Sequence, residues 1–185
     1  MKIEKVTIKD SEELLNIYAP YILKTAITFE YEVPSLDEFK QRIINITSKY
    51  PYLKLIDNEE IVGYAYANSF YERKAYDYSV ETTIYLKENA RGRGYGKVLY
   101  QALEGSLKGM GILNMNACIA YPKVEDETLT FSSVRFHRSC GFESVGVFHN
   151  SGYKFNKWYD MIWMEKQIGE HTNDLKPIDF GNWSI

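Results

Sequence analysis

Residues Ala90 to Lys97 read Ala-Arg-Gly-Arg-Gly-Tyr-Gly-Lys. They lie between a β-rich run, Ser79–Leu86, and a helical run that begins near Lys97. Glycines at alternate positions, Gly92, Gly94 and Gly96, let the backbone approach a ligand closely and take φ angles that other residues avoid. At a helix start such a loop aims N–H groups and the positive end of the helix dipole at an anion. Arg91 and Arg93 add positive charge. The chemistry implied is a seat for a phosphate or pyrophosphate. A glycine-rich strand-to-helix turn with solubilising arginines is the plainer alternative. The dinucleotide fingerprint G-x-G-x-x-G is not met, because Gly96 comes one residue early. A Walker loop is not met either, because Lys97 is followed by Val98.

The chain around this loop has 185 residues, 45% of them hydrophobic, which suits one domain with a real core. Its net charge of −3, without a basic stripe, argues against nucleic acid as the main partner. No apolar run reaches membrane-span length, and Met1-Lys2-Ile3-Glu4 lacks a signal-peptide core. Cys118 and Cys140 fit a reducing compartment, so a cytoplasmic location is expected. Neither the cysteines nor His137, His149 and His171 have metal-ligand spacing, and no metal is expected.

Working outward from the loop, hydrophobic periodicity predicts the other elements. A first strand, Lys2–Ile8, precedes a helix capped by Asp10, with Glu13 in capping-box position. Pro20 is expected to kink or end that helix. Ser35 and Glu38 form a second capping box, and Phe39, Ile43 and Ile46 the apolar face behind it, with Pro51 as the stop. Tyr52–Ile56 and Ile61–Ser69 read as a hairpin across Asp57–Glu60, and Tyr76–Leu86 as a third strand. After the loop come a helix, Lys97–Lys108, stopped by Gly109 and Gly111, and a buried strand, Ile112–Ala120. A helix over Thr130–Cys140 and strands Phe142–Phe148 and Trp158–Glu165 close the series. The order is β-α-α-β-β-β-α-β-α-β-β. Residues 1–166 read as a single domain, and residues 167–185 as a tail that is either packed or loose.

This order, with R-G-x-G-x-G after the fourth strand, resembles that of the GCN5-related N-acetyltransferases. Three segments resemble the phosphinothricin N-acetyltransferase group more closely. They are Ala75–Leu86, Ser133–Phe142 (Ser-Val-Arg-Phe-His-Arg-Ser-Cys-Gly-Phe) and Gly152–Asp160 (Gly-Tyr-Lys-Phe-Asn-Lys-Trp-Tyr-Asp). The resemblance implies an α/β (α+β) fold: a mixed sheet of about seven strands, splayed between the fourth and fifth, with about four flanking helices. It implies acetyl-CoA as co-substrate, a small amino-acid-like amine as acceptor, and direct attack in a ternary complex. It also implies a homodimer, with the closing strands and Phe180 and Trp183 either at the interface or covering the core.

Roles follow from the resemblance residue by residue. An alkylammonium must lose a proton before it attacks, so a base is needed. Glu81 is the candidate; strand alternation puts it on one face with Thr83 and Tyr85, where partial desolvation raises a carboxyl pKa. A Glu on a solvated sheet face is the bland reading. His137 is the second catalytic candidate, relaying the amine proton or protonating the departing thiolate, against the alternative of a histidine anchoring its helix. The backbone of Ile84, Tyr85 and Leu86 is implied to pair with the pantetheine arm and receive the oxyanion, with the Ile84 and Leu86 side chains in the core. Arg91, Gly92, Arg93, Gly94, Tyr95, Gly96 and Lys97 would hold the pyrophosphate. Phe29, Arg73, Tyr76, Thr83 and Tyr85 match acceptor-pocket positions, Arg73 offering a fork for a carboxylate or phosphinate.

One segment departs from the family pattern. After Pro122 the chain reads Lys123-Val124-Glu125-Asp126-Glu127-Thr128, where relatives have an asparagine that contacts the coenzyme; this acidic loop is expected to reshape the acceptor entrance. Other acceptors (a polyamine, an antibiotic, a protein N-terminus) and a non-catalytic CoA-binding domain are the alternative readings. Arg73 disfavours a polycation.

Overall fold

The computed structural model describes all 185 residues. Its strands are β1 (Lys2–Lys5), β2 (Tyr52–Asp57), β3 (Glu60–Ser69), β4 (Ser79–Leu86), β5 (Asn114–Tyr121), β6 (Glu143–Lys154) and β7 (Lys157–Gln167). The helices are α1 (Ser11–Lys24), α2 (Leu36–Thr47), α3 (Tyr95–Met110) and α4 (Ser132–Ser139). The strands form one seven-stranded sheet in the order β1-β2-β3-β4-β5-β7-β6. Every neighbouring pair is antiparallel except β4 and β5, which run parallel. Element order and sheet type are those expected from the sequence.

The β4–β5 pairing is short. Only Ser79, Val80 and Glu81 pair, with Asn114, Met115 and Asn116. The Asn116 side chain ties this seam by donating to the Val80 carbonyl at 3.1 Å. Beyond Glu81 the strands part, and the sheet carries a wedge-shaped gap.

Apolar residues fill both faces. Leu99, Leu103 and Leu107 of α3 pack on Leu53, Leu55, Ala65, Val80 and Met115. On the other face Leu14 and Ile22 of α1 and Phe39 and Ile43 of α2 cover Tyr52 and Tyr64. The tail is packed: Ile178, Phe180 and Trp183 lie on the α3-side core, and the Lys5 ammonium donates to the Trp183 carbonyl. No helix is long and apolar enough to cross a membrane.

Local chemistry accounts for the differences from the predicted elements. β1 stops at Lys5 because Asp10 turns back, its carboxylate accepting from the Thr7 N–H (2.7 Å) and hydroxyl (3.0 Å). Asp10 therefore does not cap α1 with its side chain, and it pairs with Lys54 at 2.6 Å instead. Glu13 likewise leaves the expected capping box and accepts from the Ile61 N–H and from Lys87. Pro20 lies inside α1, which runs on to Lys24. The Ser35–Glu38 box on α2 is as expected: Ser35 Oγ accepts from the Glu38 N–H, and Glu38 accepts from the Ser35 N–H. The hairpin at Asn58-Glu59 has both residues at positive φ (48° and 65°), matching a turn that follows strand twist. β4 begins at Ser79 because Lys74–Tyr76 forms a 3-10 turn. β6 and β7 extend beyond the predicted strands to meet across a turn at Phe155-Asn156.

Candidate active site

The gap between β4 and β5 is a cavity of about 680 Å³. Residues Glu81 to Leu86 form one wall and Ala117 to Ala120 the other. Arg91, Gly92 and Gly96 close one end, and Ile27, Thr28 and Phe29 also line the cavity.

Strand register determines what the β4 wall offers. Lys87 N–H donates to Val62 O at 2.8 Å, so the hydrogen-bonded positions facing β3 are the odd residues, Tyr85, Thr83 and Glu81. The backbone N–H and C=O of Ile84 and Leu86 therefore point into the gap, where β5 has moved away. Tyr21 engages those of Leu86: its hydroxyl donates to Leu86 O at 2.6 Å and accepts from Leu86 N–H at 3.1 Å. The side chains alternate as expected. Ile84 and Leu86 pack on the α3-side core, while Tyr85 packs against Tyr18, Tyr21 and Tyr64.

The glycine loop enters α3 through Gly94, which has φ 83° and a left-handed conformation that strains any side chain. The N–H groups of Gly92 through Gly96 donate to no carbonyl or side chain, leaving five donors at the helix start. A Cβ on Gly96 would lie 2.9 Å from the Phe136 ring, so only glycine lets this loop meet α4. Free N–H groups, a dipole end and a cavity running from them toward Glu81 fit a coenzyme with a pyrophosphate and a long arm. Arg91 lies over the Tyr21 ring at 4.7 Å, and Arg93 over Tyr95 at 5.2 Å. The Tyr95 side chain turns away to Asp57, and Lys97 faces a separate cleft with Glu104 and Cys140.

Glu81 stands where β4 and β5 part. It is half-buried and has no hydrogen bond or ion pair, and burial raises its pKa above the ordinary carboxylate value. Cys118 opens onto the same cavity, and its surroundings together with the charge of Glu81 push its thiol up to about 12. At neutral pH it is a thiol, a poor nucleophile.

His137 is buried and neutral. Burial pulls its pKa from 6.5 to about 4. Its Nδ1 lies 2.7 Å from the Ser133 carbonyl, which only accepts, so Nδ1 carries the proton. Nε2 is then an acceptor, and it takes the hydroxyl proton of Tyr100 at 2.8 Å. Thr82 Oγ1 lies 3.4 Å from that hydroxyl and donates to Asn116 O. Tyr100 lines the cavity and is the residue that sequence reasoning missed. Its place on α3, one apolar-face position among several, gave no signal of a polar partner on α4.

The expected acceptor residues divide. Phe29, Thr83 and Tyr85 line the cavity. Arg73 and Tyr76 do not; they sit on the exposed segment between β3 and β4, Tyr76 against Phe70 and Tyr71. The acidic loop after Pro122 does not line it either. Asp126 binds Thr128, Leu129 and Lys157, Glu125 binds Phe131 and Arg135, and Lys123 reaches Asn150. These charges hold the loop rather than face a ligand.

Comparison with known proteins agrees with this geometry. The family model for the acetyltransferase (GNAT) domain matches residues 3–163. A phosphinothricin N-acetyltransferase of Streptomyces coelicolor is 31% identical over 164 residues, 86% of this chain and 92% of that one. An L-methionine sulfoximine/L-methionine sulfone acetyltransferase of Salmonella typhimurium is 30% identical over 123 residues, 66% of this chain and 68% of that one. The crystal structure of a GNAT superfamily phosphinothricin acetyltransferase from Sinorhizobium meliloti, in complex with AcCoA, superposes with a TM-score of 0.85. It is 31% identical, with 98% of each chain covered.

Proposed function

The chain belongs to the GNAT acetyltransferase family, an N-acetyltransferase with acetyl-CoA as donor, and from that premise we propose its acceptor and its chemistry. The acceptor is the primary amine of a small amino-acid-like molecule of the phosphinothricin or methionine sulfoximine type. The observation that carries this reading is Glu81: a carboxylate without a partner, raised in pKa, at the inner end of a cleft whose outer end is the free-amide loop.

When bound, acetyl-CoA supplies an acyl thioester activated toward an amine. The N–H groups of Gly92 to Gly96 hold the pyrophosphate, and Arg91 adds charge. Glu81 would take a proton from the acceptor ammonium, directly or through water, and release it to solvent; the free amine would form the C–N bond as the thioester C–S bond breaks, and CoA would leave as a thiolate that takes up the second amine proton by way of water. The Ile84 N–H, free in the gap, donates to the developing oxyanion. Tyr100 presents a hydroxyl to the cleft with neutral His137 as its acceptor, so proton movement that involves His137 runs through Tyr100. The protonated Cys118 leaves a covalent cysteine route without a nucleophile.

Residues 1–166 act as one catalytic domain with the tail as a strap over the core. The protein works in the cytoplasm as a homodimer, joined through the hairpin of β6 and β7, where Phe148, Tyr153 and Trp158 lie open.

The test is a panel of amines with acetyl-CoA, followed by CoA release. Phosphinothricin or methionine sulfoximine turning over faster than spermidine, an aminoglycoside or an N-terminal peptide supports the reading. Preference for one of the latter three refutes the acceptor assignment, and CoA binding without turnover of any amine refutes catalysis. Light scattering at the monomer mass refutes the dimer.

A further inference from the structure

Lys154 ends β6 and is 3% exposed, yet the acetyl-transfer chemistry makes no use of it. Its Nζ donates to three backbone carbonyls, those of Ile22 at 2.7 Å, Thr25 at 2.9 Å and Thr28 at 2.8 Å. An ammonium has three N–H donors, and this cradle uses all of them, which is what allows a charge to be buried. Ile22 O belongs to the last turn of α1, whose unpaired carbonyls carry partial negative charge. Thr25 and Thr28 begin the segment that leads into the cleft.

The same strand end grips this segment twice more. A Cβ on Gly152 would stand 2.4 Å from the Phe29 ring, so the strand lies flat against that ring only because glycine is there. The Tyr31 hydroxyl donates to the Tyr153 carbonyl. Gly152, Tyr153 and Lys154 thus hold Phe29, Tyr31 and the backbone of 22–28 in succession. Phe29 lines the cavity together with Thr28 and Ile27. None of these contacts touches the glycine loop.

We propose that Lys154 is a positioning residue for the acceptor amine. By fixing the carbonyls of Thr25 and Thr28 it sets where Phe29 stands, and so which acceptors the cleft admits. The inference rests on the acetyl-transfer reading above.

The experiment compares Lys154→Met and Lys154→Arg with the wild type, using methionine sulfoximine and acetyl-CoA. In Lys154→Met the acceptor KM is expected to rise roughly tenfold or more, with the acetyl-CoA KM and the equilibrium Kd for CoA unchanged. Amide hydrogen exchange is expected to quicken over residues 26–31 and not over Gly92–Gly96. Should Lys154→Met fail to fold, Lys154→Arg carries the test, because a planar guanidinium cannot place one nitrogen among three carbonyls; the same split is expected. An unchanged acceptor KM in a folded variant overturns the proposal. So does an equal loss of affinity for both substrates, which marks a general structural lysine. If the wild type acetylates no amine, the acetyl-transfer reading falls, and hydrogen exchange alone then decides whether Lys154 clamps the segment.

Discussion

Tyr100 Oη lies 2.8 Å from His137 Nε2, and the two residues come from different helices, α3 and α4. The imidazole cannot protonate anything in this arrangement, since its one proton is committed to the Ser133 carbonyl. The pair joins the helix that carries the glycine loop to the helix that carries the histidine. Replacing Tyr100 by Phe keeps the packing and removes the hydroxyl. We expect kcat to fall roughly a hundredfold with little change in the acetyl-CoA KM, as for loss of a proton-relay group between the cleft and His137. Steady-state kinetics on a variant of unchanged melting temperature checks this.

The neutral state of His137 also makes stability depend on pH. Its folded pKa, about 4, lies below the ordinary 6.5, so the unfolded chain binds the extra proton first. Stability from this residue is complete above about pH 6.5 and is lost as the pH falls toward 4, by roughly 3 kcal/mol in all. Urea unfolding of the wild type and His137→Asn across pH 4 to 7 measures it. The acid limb should be shallower in the variant, and parallel curves would falsify the assignment.

Glu81 has the opposite sign. A carboxyl whose folded pKa is raised holds its proton more tightly when folded, so ionising it costs stability as the pH rises through that pKa. Glu81→Gln should therefore melt higher than the wild type at pH 8, while kcat drops about a hundredfold or more. In the wild type, kcat/KM should rise with pH along a limb set above the ordinary carboxylate range, and the variant should lack that limb. A variant that is both less stable and fully active would dispose of the base assignment.

Gly96→Val places a side chain against the Phe136 ring, where even a Cβ comes within 2.9 Å. The loop must move away from α4. Calorimetric titration with CoA should show affinity weakened about tenfold or more, whereas Gly105→Ala on the same helix, with open space around it, should bind normally.

Asp10 and Glu13 supply a stability comparison. Asp10→Ala leaves the ammonium of buried Lys54 with only the longer 3.7 Å contact to Glu4 and is expected to cost about 3 kcal/mol. Glu13→Ala removes a more exposed contact to Lys87 and should cost about 1 kcal/mol or less. Chemical denaturation separates the two, and equal costs would mean the Lys54 pair is solvated.

These cases show what the linear chain conveys. Helix and strand order were legible because apolar periodicity and glycine stops are local signals, and Ser35–Glu38 capped where their spacing said. The same spacing misread Asp10 and Glu13, because Lys54, Ile61 and Lys87, all remote in sequence, compete for those carboxylates. Glu81 stood out as a charge in an apolar strand. Tyr100 and Lys154 did not, because their meaning lies in partners on other elements, one on α4 and the other beyond the end of α1. Arg73 and Tyr76 were read by position within a motif, and the structure leaves them on the surface outside the cavity.

The seam between β4 and β5 holds three residue pairs, so the sheet is two plates joined along a short line of hydrogen bonds. A pantetheine arm laid along the exposed edge of β4 would act as the missing rungs of the ladder. Folding and coenzyme occupancy are then linked quantities: at a hundred times its Kd, a ligand that binds only the folded state adds about 2.7 kcal/mol of stability. In a cell the lifetime of this chain against proteolysis would rise and fall with the supply of CoA, so that metabolic state governs how much enzyme exists as well as how fast it works.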